Sequence, residues 1–357
     1  MQIWSTGVAS PRSTARVARQ LEDAGWDGLL VVDSQNLSGD SYVALAMAAA
    51  ATGRIGLGTG VTNSVTRHAA VTASAIVSVQ RISDGRAVLG IGRGDSALAH
   101  LGRAPARLGQ FDRYLRQLQA YLRGEAVAFA DIDIPESVAP PMSELELHDA
   151  PPNSRIAWIA ERGEKVPVEV AASGPKVIAL AALHADRVMF ALGADEARIA
   201  WGVELARKTR EKAGLAPDGI RFGAYVNCGC DPDIDTARDL VRGALTTFAR
   251  FSVMHGTPNG PVSGEDRAVL HALRDNYDMK AHTHGDSRQA GVLTPAFIDR
   301  FAIVGSPAQC VARFRGLAAL GLDKLAVTGS LRGVSQVDAA RSKALLEAEV
   351  LPAMRTG

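Results

Sequence analysis

Cysteine is scarce in this 357-residue chain, with only Cys228, Cys230 and Cys310. Three thiols do not make a disulfide framework. No second cysteine pair or spaced histidine set accompanies C-x-C, so zinc is not expected and the thiols read as reduced core residues. Net charge is nearly absent, 39 Lys and Arg against 38 Asp and Glu. That balance gives no footprint for nucleic acid or for a strongly acidic partner. Lysine is scarce too: seven, none before Lys165, against 32 arginines. A Schiff-base lysine early in the chain is therefore excluded, and the arginine bias reads as genomic composition. No apolar run approaches the roughly 20 residues of a membrane span. Met1-Gln2-Ile3-Trp4 leads straight into an apolar strand without a basic and then apolar leader, so a cytoplasmic location is expected.

What the chain does have is rhythm. Residues 54–95 show its unit: an apolar strand, Arg54–Val61, ends in Thr62-Asn63-Ser64; a helix spans roughly His68–Ser83; a second strand, Arg86–Ile91, ends in Gly92-Arg93-Gly94-Asp95. Further strands are expected at Gln2–Gly7, Gly28–Asp33, Pro167–Ala172, Arg187–Ala191, Arg221–Cys228 and Asp323–Thr328. Helices are expected at Pro11–Ala24, Tyr42–Thr52, Ala69–Ser83, Arg107–Arg123, Pro175–His184, Glu196–Ala213, Thr236–Met254 and Pro307–Leu320. The strands are short and apolar without alternation, as when both faces are covered. Pro11, Pro175 and Pro307 suit first helical turns. Gly25, Gly53, Gly85, Gly124 and Gly321 fall just past helix ends. Eight such repeats predict a (β/α)8 TIM barrel over 1–357, with an open doubly wound sheet as the alternative. In either fold, ligands sit at the carboxyl ends of the strands, where glycine lets backbone approach a ring or a phosphate.

The chain exceeds a minimal barrel by roughly a hundred residues. Two insertions on the active face account for the excess. One is proline-rich, about 125–166; the other, about 255–300, holds His255, His271, His282 and His284. Such loops read as lids or as solvated excursions. His282-Thr283-His284 is at most half a metal site, and no metal is expected. Cys228 and Cys230, two apart on a strand, face the same way, and the mouth is one place for them. His68 reads either as a helix-start residue or as a substrate contact. Ser173-Gly174-Pro175-Lys176 opens a helix. Its free N–H groups, the helix dipole, the Ser173 hydroxyl and the Lys176 ammonium suit an anion. Gly90–Asp95 imitates a dinucleotide turn, but its third glycine comes one residue early and no well-placed acid follows.

The run Gly60-Val61-Thr62-Asn63 and the stretch Val71–Asp95 resemble the bacterial-luciferase-like family of flavin and deazaflavin oxidoreductases. Within it the chain is most similar to the branch containing methylenetetrahydromethanopterin reductase. The resemblance extends to Asp27–Asp33, Ala172–Lys176 and Phe301–Ser306 and fades in both insertions. It implies a tricyclic ring in the barrel mouth and a phosphate anchored outside. Gly60-Val61 matches the place of a non-prolyl cis peptide behind the ring. Thr62 and Asn63 would meet the pyrimidine edge or ribityl chain. Gly92, Arg93, Gly94 and Asp95 would pass the ribityl chain or phosphate, and Ser173, Gly174, Pro175 and Lys176 would hold the phosphate. Relatives carry an acid and then a histidine at Asp33-Ser34. Here the acid remains as a candidate catalytic group and Ser34 takes the histidine's place.

Two chemistries follow from that resemblance. Reduced FMN with oxygen makes a monooxygenase, served by a separate flavin reductase. The deazaflavin coenzyme F420 makes a hydride-transfer enzyme. FMN is placed first here, and a non-catalytic flavin binder is a third reading. The substrate is expected to be a small, mostly apolar molecule between the ring and the insertions. Ser34, His68, His255 and His282 are its candidate contacts, near Phe248, Phe251 and Tyr277. Alanine-rich second and third helices predict a homodimer.

Overall fold

The computed structural model describes residues 1–145, 147–159, 165–254 and 256–356. Ten strands form one sheet: β1 (Gln2–Val8), β2 (Gly28–Val32), β3 (Gly56–Thr59), β4 (Thr62–Asn63), β5 (Ala87–Gly92), β6 (Val168–Ala172), β7 (Arg187–Phe190), β8 (Arg221–Cys230), β9 (Ile303–Gly305) and β10 (Lys324–Thr328). All pairings are parallel, and β10 bonds both β8 and β1, which closes a barrel in the order β1-β2-β3-β5-β6-β7-β8-β10. The (β/α)8 barrel is thus the fold, and the open sheet is excluded by the β1–β10 ladder. Two strands lie off the eight-stave path. β4 continues β3 after the cis Gly60–Val61 peptide, and β9 pairs the last residues of β8, Cys228–Cys230.

Helices form where the apolar spacing predicts them, and all but the one expected at Thr236–Met254, which reaches over the mouth, wrap the barrel. Pro11, Pro175 and Pro307 each open a helix, where a missing N–H is tolerated. Gly25, Gly85, Gly124 and Gly321 take φ of +88°, +89°, +69° and +92° behind helix ends. Gly53 does not; the Glu22 carboxylate takes its N–H together with those of Arg54 and Ile55, tying that turn without a left-handed residue. No helix among the described residues is long and apolar enough to cross a membrane.

The amino end of the barrel is plugged. The Trp4 indole lies over Gly28 and Gly56, where an added Cβ would come within 2.0 and 2.4 Å of the ring. Lys324 Nζ sits 3.3 Å from the Trp4 ring centroid and bonds Glu169 at 2.8 Å. Arg187 joins Glu169 to Asp323. Burial alone would raise the Glu169 pKa; the two cations outweigh it and hold the carboxyl below its usual range. With the bottom closed, the mouth at the carboxyl ends is the open end of the barrel.

The two insertions part ways. Segment 255–300 builds a second apolar core, in which Val269, Leu270, Leu273, Phe297 and Ile298 pack on Val241, Leu245 and Ala249 of the helix Ile234–Phe251. Segment 125–166 departs from the expectation of an active-face lid. It joins the carboxyl end of the helix Leu108–Leu122 to the amino end of β6, so it starts and finishes at the plugged end. Val127 pairs with Ser154 there, and Trp158 stacks on Arg81 at 4.5 Å. The cysteines also lie away from the mouth. Cys228 and Cys230 face the helix layer, buried with Cys310, and the Cys230 N–H donates to Ser342 Oγ at 2.8 Å. The period-two pleat sends their shared face outward because Tyr225 fills the inside.

Candidate active site in the barrel mouth

Three groups of side chains ring the mouth. The first stands at the ends of β2 and β4. The Asp33 carboxylate, 4% exposed, accepts from Thr62 Oγ1 at 2.6 Å and pairs with Arg67. Arg67 reaches Asp40 at 2.7 Å and lies 4.8 Å over the Tyr42 ring. Burial opposes the Arg67 charge, but Asp33 and Asp40 more than offset it and raise its pKa. Tyr114 backs the group, bonding Thr72 at 2.7 Å and donating to the Arg67 carbonyl at 3.1 Å. Its hydroxyl is pushed up to about 12 by burial. Asp33 is therefore committed to holding Arg67. Ser34 Oγ meets Ser96 Oγ at 2.9 Å, which ties the end of β2 to the turn after β5.

The turn between has its own logic. Asn63 Oδ1 accepts the N–H groups of Val65 and Thr66, both at 3.0 Å, and its Nδ2 donates to Thr66 Oγ1. That amide shapes the turn, so only the backbone of Thr62 and Asn63 remains for a ligand. His68 caps the helix Ala69–Ile82, its Nδ1 accepting from the Ala70 N–H at 3.2 Å. Its Nε2 is buried without a partner among the described residues, and burial lowers its pKa. Beside it runs a cleft of about 460 Å³ lined by Ser64, Arg67, Arg107, Gln110 and Tyr114. His68 thus serves as a cap and also borders a cleft, so the two sequence readings are compatible.

The second group is an anion cradle at the ends of β5 and β6. In their parallel register Ile91 stands beside Val170, which brings Gly92–Gly94 next to Ala171–Ser173. A Cβ on Gly92 would lie 3.3 Å from Val61 and 3.8 Å from Ala171, so glycine keeps the wall flat. Gly94 takes φ +88° and turns the chain outward. Arg93 is half-buried; its Nε donates to the Ala106 carbonyl at 2.6 Å, and it has no carboxylate partner among the described residues. Burial lowers its pKa, the mark of a cation that the fold leaves uncompensated. Beside it Gly174 opens the helix Pro175–His184 with no side-chain cap. Ser173 Oγ makes only a 3.5 Å contact to the Phe251 carbonyl, and Lys176 is exposed. Unpaired guanidinium, uncapped helix start, hydroxyl and ammonium together form a donor set suited to a phosphate.

The third group is brought by segment 255–300 and the helix Ile234–Phe251. The carboxyl end of that helix lies over the mouth: Arg250 pairs with Asp95, and Phe248 stacks on Tyr225 at 6.1 Å. Arg250 also lies 4.6 Å over the Tyr277 ring, and the Tyr277 hydroxyl meets His282 Nδ1 at 2.7 Å. Burial lowers the His282 pKa, which favours the neutral imidazole. The structure thus joins His282 to Asp95 although 187 positions separate them in sequence. The Asp95 carboxylate is thus engaged by Arg250. His255 lies outside the described residues.

A family model described as "Luciferase-like monooxygenase" matches residues 2–324. The chain belongs to this family. Curated relatives of this luciferase-like chain include the 5,10-methylenetetrahydromethanopterin reductases of Methanolobus tindarius, 30% identical over 88% of the chain and 89% of the relative, and of Archaeoglobus fulgidus, 29% identical over 94% and 93%. Among solved structures, the coenzyme F420-dependent tetrahydromethanopterin reductase of Methanopyrus kandleri superposes with a TM-score of 0.71 at 21% identity over 98% of both chains. An F420-dependent secondary alcohol dehydrogenase, in complex with an F420-acetone adduct, gives 0.73 at 16% identity over 99% of both chains. A monooxygenase from Streptomyces bottropensis gives 0.64 at 19% over 99% of both. The luciferase-like barrel here is accordingly that of an oxidoreductase. Of the residues that build its mouth, Arg67 and Arg250 escaped the sequence reading. Each is one arginine among 32, and only its acidic partner, brought close by folding, singles it out.

Proposed function

We propose that the protein is a deazaflavin enzyme that uses coenzyme F420 to transfer a hydride to or from a small organic substrate. The observation that carries a phosphate-bearing coenzyme is the uncompensated Arg93 beside the uncapped helix start at Gly174. Relatives named as methylenetetrahydromethanopterin reductases over nearly the whole chain, together with the solved reductase described as coenzyme F420-dependent, support F420 over FMN, which reverses the order of preference drawn from the sequence. The residues present fit such a group. Arg93, Ser173, Gly174 and Lys176 would hold its phosphate, and the flat wall at Gly60, Val61 and Gly92 would back its ring. When bound, the coenzyme supplies the hydride chemistry.

The chain's own part is placement and solvent control. Asp33 fixes Arg67 and Thr62, and through them the turn that follows the cis peptide. Asp95 and Arg250 hold the end of the helix Ile234–Phe251 over the mouth, which narrows the path for water. Tyr277 and His282 form a neutral hydroxyl–imidazole pair at the rim, able to pass a proton between solvent and the mouth. Reduced FMN with oxygen is the second reading, favoured by the family description and the Streptomyces neighbour. Anaerobic titration of the apoprotein with F420 and with reduced FMN separates the two. F420 binding at least tenfold tighter supports the proposal, and the opposite order overturns it.

A homodimer is part of the proposal. Val43 and Met47, about half exposed, stand one turn apart on the helix Ser41–Ala51, and Val71 is equally exposed on the adjoining helix Ala69–Ile82. Such a contiguous apolar face fits a second copy of the chain.

A further inference from the structure

Strand β8 carries two buried polar groups that the fold does not satisfy. Val226 and Cys228 face the helix layer, so the pleat turns Tyr225 and Asn227 into the barrel. The Tyr225 hydroxyl and Asn227 Nδ2 are both buried without a hydrogen-bond partner among the described residues. Asn227 is 1% exposed and stands two residues nearer the mouth than Tyr225. Its register partner is Thr328, the last residue of β10, whose hydroxyl meets Thr6 of β1 at 3.0 Å. Three neighbouring strands therefore carry one neutral polar row near their carboxyl ends: Asn227, Thr328 and Thr6. A buried amide without a partner is unfavourable, so a group that accepts its hydrogen bond is expected at this place.

The position of the row narrows what that group is. In the barrel order, β8 stands four staves from β3, directly across from Gly60–Val61. If the ring is backed by Gly60–Val61, as proposed above, Asn227 faces it from the far side of the mouth. The walls between are apolar: Val61, Ala171, Ala191 and Phe248. Arg250, on the helix that also carries Phe248, is taken by Asp95, and Lys324 at the other end of β10 is taken by Glu169. A neutral row without a free cation suits a neutral oxygen better than a carboxylate or a phosphate.

We propose that Asn227 is the substrate-orienting residue, its Nδ2–H donating to the oxygen of a small, mostly apolar carbonyl compound or its alcohol, with the Thr328 hydroxyl alongside. The proposal rests on the F420 reading for the place of the ring, and its test keeps the two apart. The chain has six asparagines, so 15N-asparagine labelling gives few side-chain amide signals, and the Asn227→Leu protein assigns the one that matters. F420 is added first and its binding followed by fluorescence. Failure at this step removes the F420 reading and, with it, the proposal. Cyclohexanone and methylenecyclohexane, the same shape with CH2 in place of oxygen, are then titrated into the loaded protein. The expected result is a saturable downfield shift of the Asn227 amide with cyclohexanone and at least tenfold preference for it over methylenecyclohexane. Asn227→Leu and Asn227→Ala lose that preference while their F420 affinity stays within twofold of the unaltered protein. Intact F420 binding with no shift, no preference, or a preference that survives both substitutions overturns the inference alone. A tenfold loss of F420 affinity in both variants also overturns it, since Asn227 would then be a ligand of the ring.

Discussion

Replacing Arg93 by methionine separates binding from folding. The guanidinium donates one hydrogen bond to the Ala106 carbonyl through Nε, and its terminal nitrogens have no carboxylate partner among the described residues. A charge-assisted hydrogen bond is worth about 1.5–3 kcal/mol. Since 1.4 kcal/mol is tenfold, the loss of one such bond weakens binding of the phosphorylated coenzyme roughly 10- to 150-fold. The same deazaflavin without its phosphate changes by less than about threefold on this reasoning. The apoprotein tells the other half. Burial already disfavours the Arg93 charge, so an apolar chain of similar length costs the apoprotein no more than about the one hydrogen bond to Ala106, roughly 1 kcal/mol. Fluorescence titration of both ligands, with thermal unfolding of the apoprotein, checks both halves. Equal weakening of the two ligands, or a large loss of apoprotein stability, refutes the assignment of Arg93 to the phosphate.

Other perturbations test the rest of the site and fold. Asp33→Asn breaks a pair whose side chains are 3% and 19% exposed; it is expected to lower the free energy of unfolding in urea by about 3 kcal/mol, with a change under 1 kcal/mol contradicting the role of Asp33 as an anchor for Arg67. Gly28→Ala places a Cβ 2.0 Å from the Trp4 indole and should destabilise by about 1–3 kcal/mol or more, whereas Gly53→Ala, with nothing within 4 Å, should stay within about 0.5 kcal/mol. Acid should weaken the fold through His282. Its folded pKa lies below the ordinary value, so the unfolded chain binds the proton first. The penalty grows as pH falls from about 6.5 through the folded pKa and is absent above that window. His282→Gln should flatten the dependence of the melting temperature between pH 5 and 7, and an unchanged slope would show that another group governs it. Val43→Glu with Met47→Glu should convert a dimer to a monomer by light scattering at micromolar concentration, and a monomeric unaltered protein would remove the dimer from the account.

Most of the barrel is legible in the sequence because it is local. Strand positions come from apolar runs of four to eight residues, and helix starts from Pro11, Pro175 and Pro307, all of which sit in first turns. The Gly60–Val61 cis peptide and the Gly174 helix start are legible as motifs, since each is a few contiguous residues. What the sequence hides is non-local. β9 is three residues long and is a strand only because Cys228–Cys230 lie beside it. The helices Gly264–Asp275 and Pro295–Phe301 fall where histidines and prolines suggest a loop, and their shared core with Val241 and Leu245 exists only after folding. The side of the barrel reached by segment 125–166 follows from chain direction: a segment between a helix and the next strand belongs to the amino end. That Asp95 pairs with Arg250, 155 positions away, is likewise visible only after folding. Asn227 gives no signal at all in sequence, being one polar residue in a mostly apolar strand, and its orphaned amide is visible only in three dimensions.

The central claim is that the mouth holds F420 with its phosphate at Arg93 and the Ser173–Lys176 turn. A crystal structure of the protein with F420 tests it most directly. The account predicts density for the phosphate within hydrogen-bond distance of Arg93 and of the Gly174 or Lys176 backbone N–H, and for the ring against Gly60–Val61. Phosphate density elsewhere, or a ring outside the barrel mouth, would contradict it.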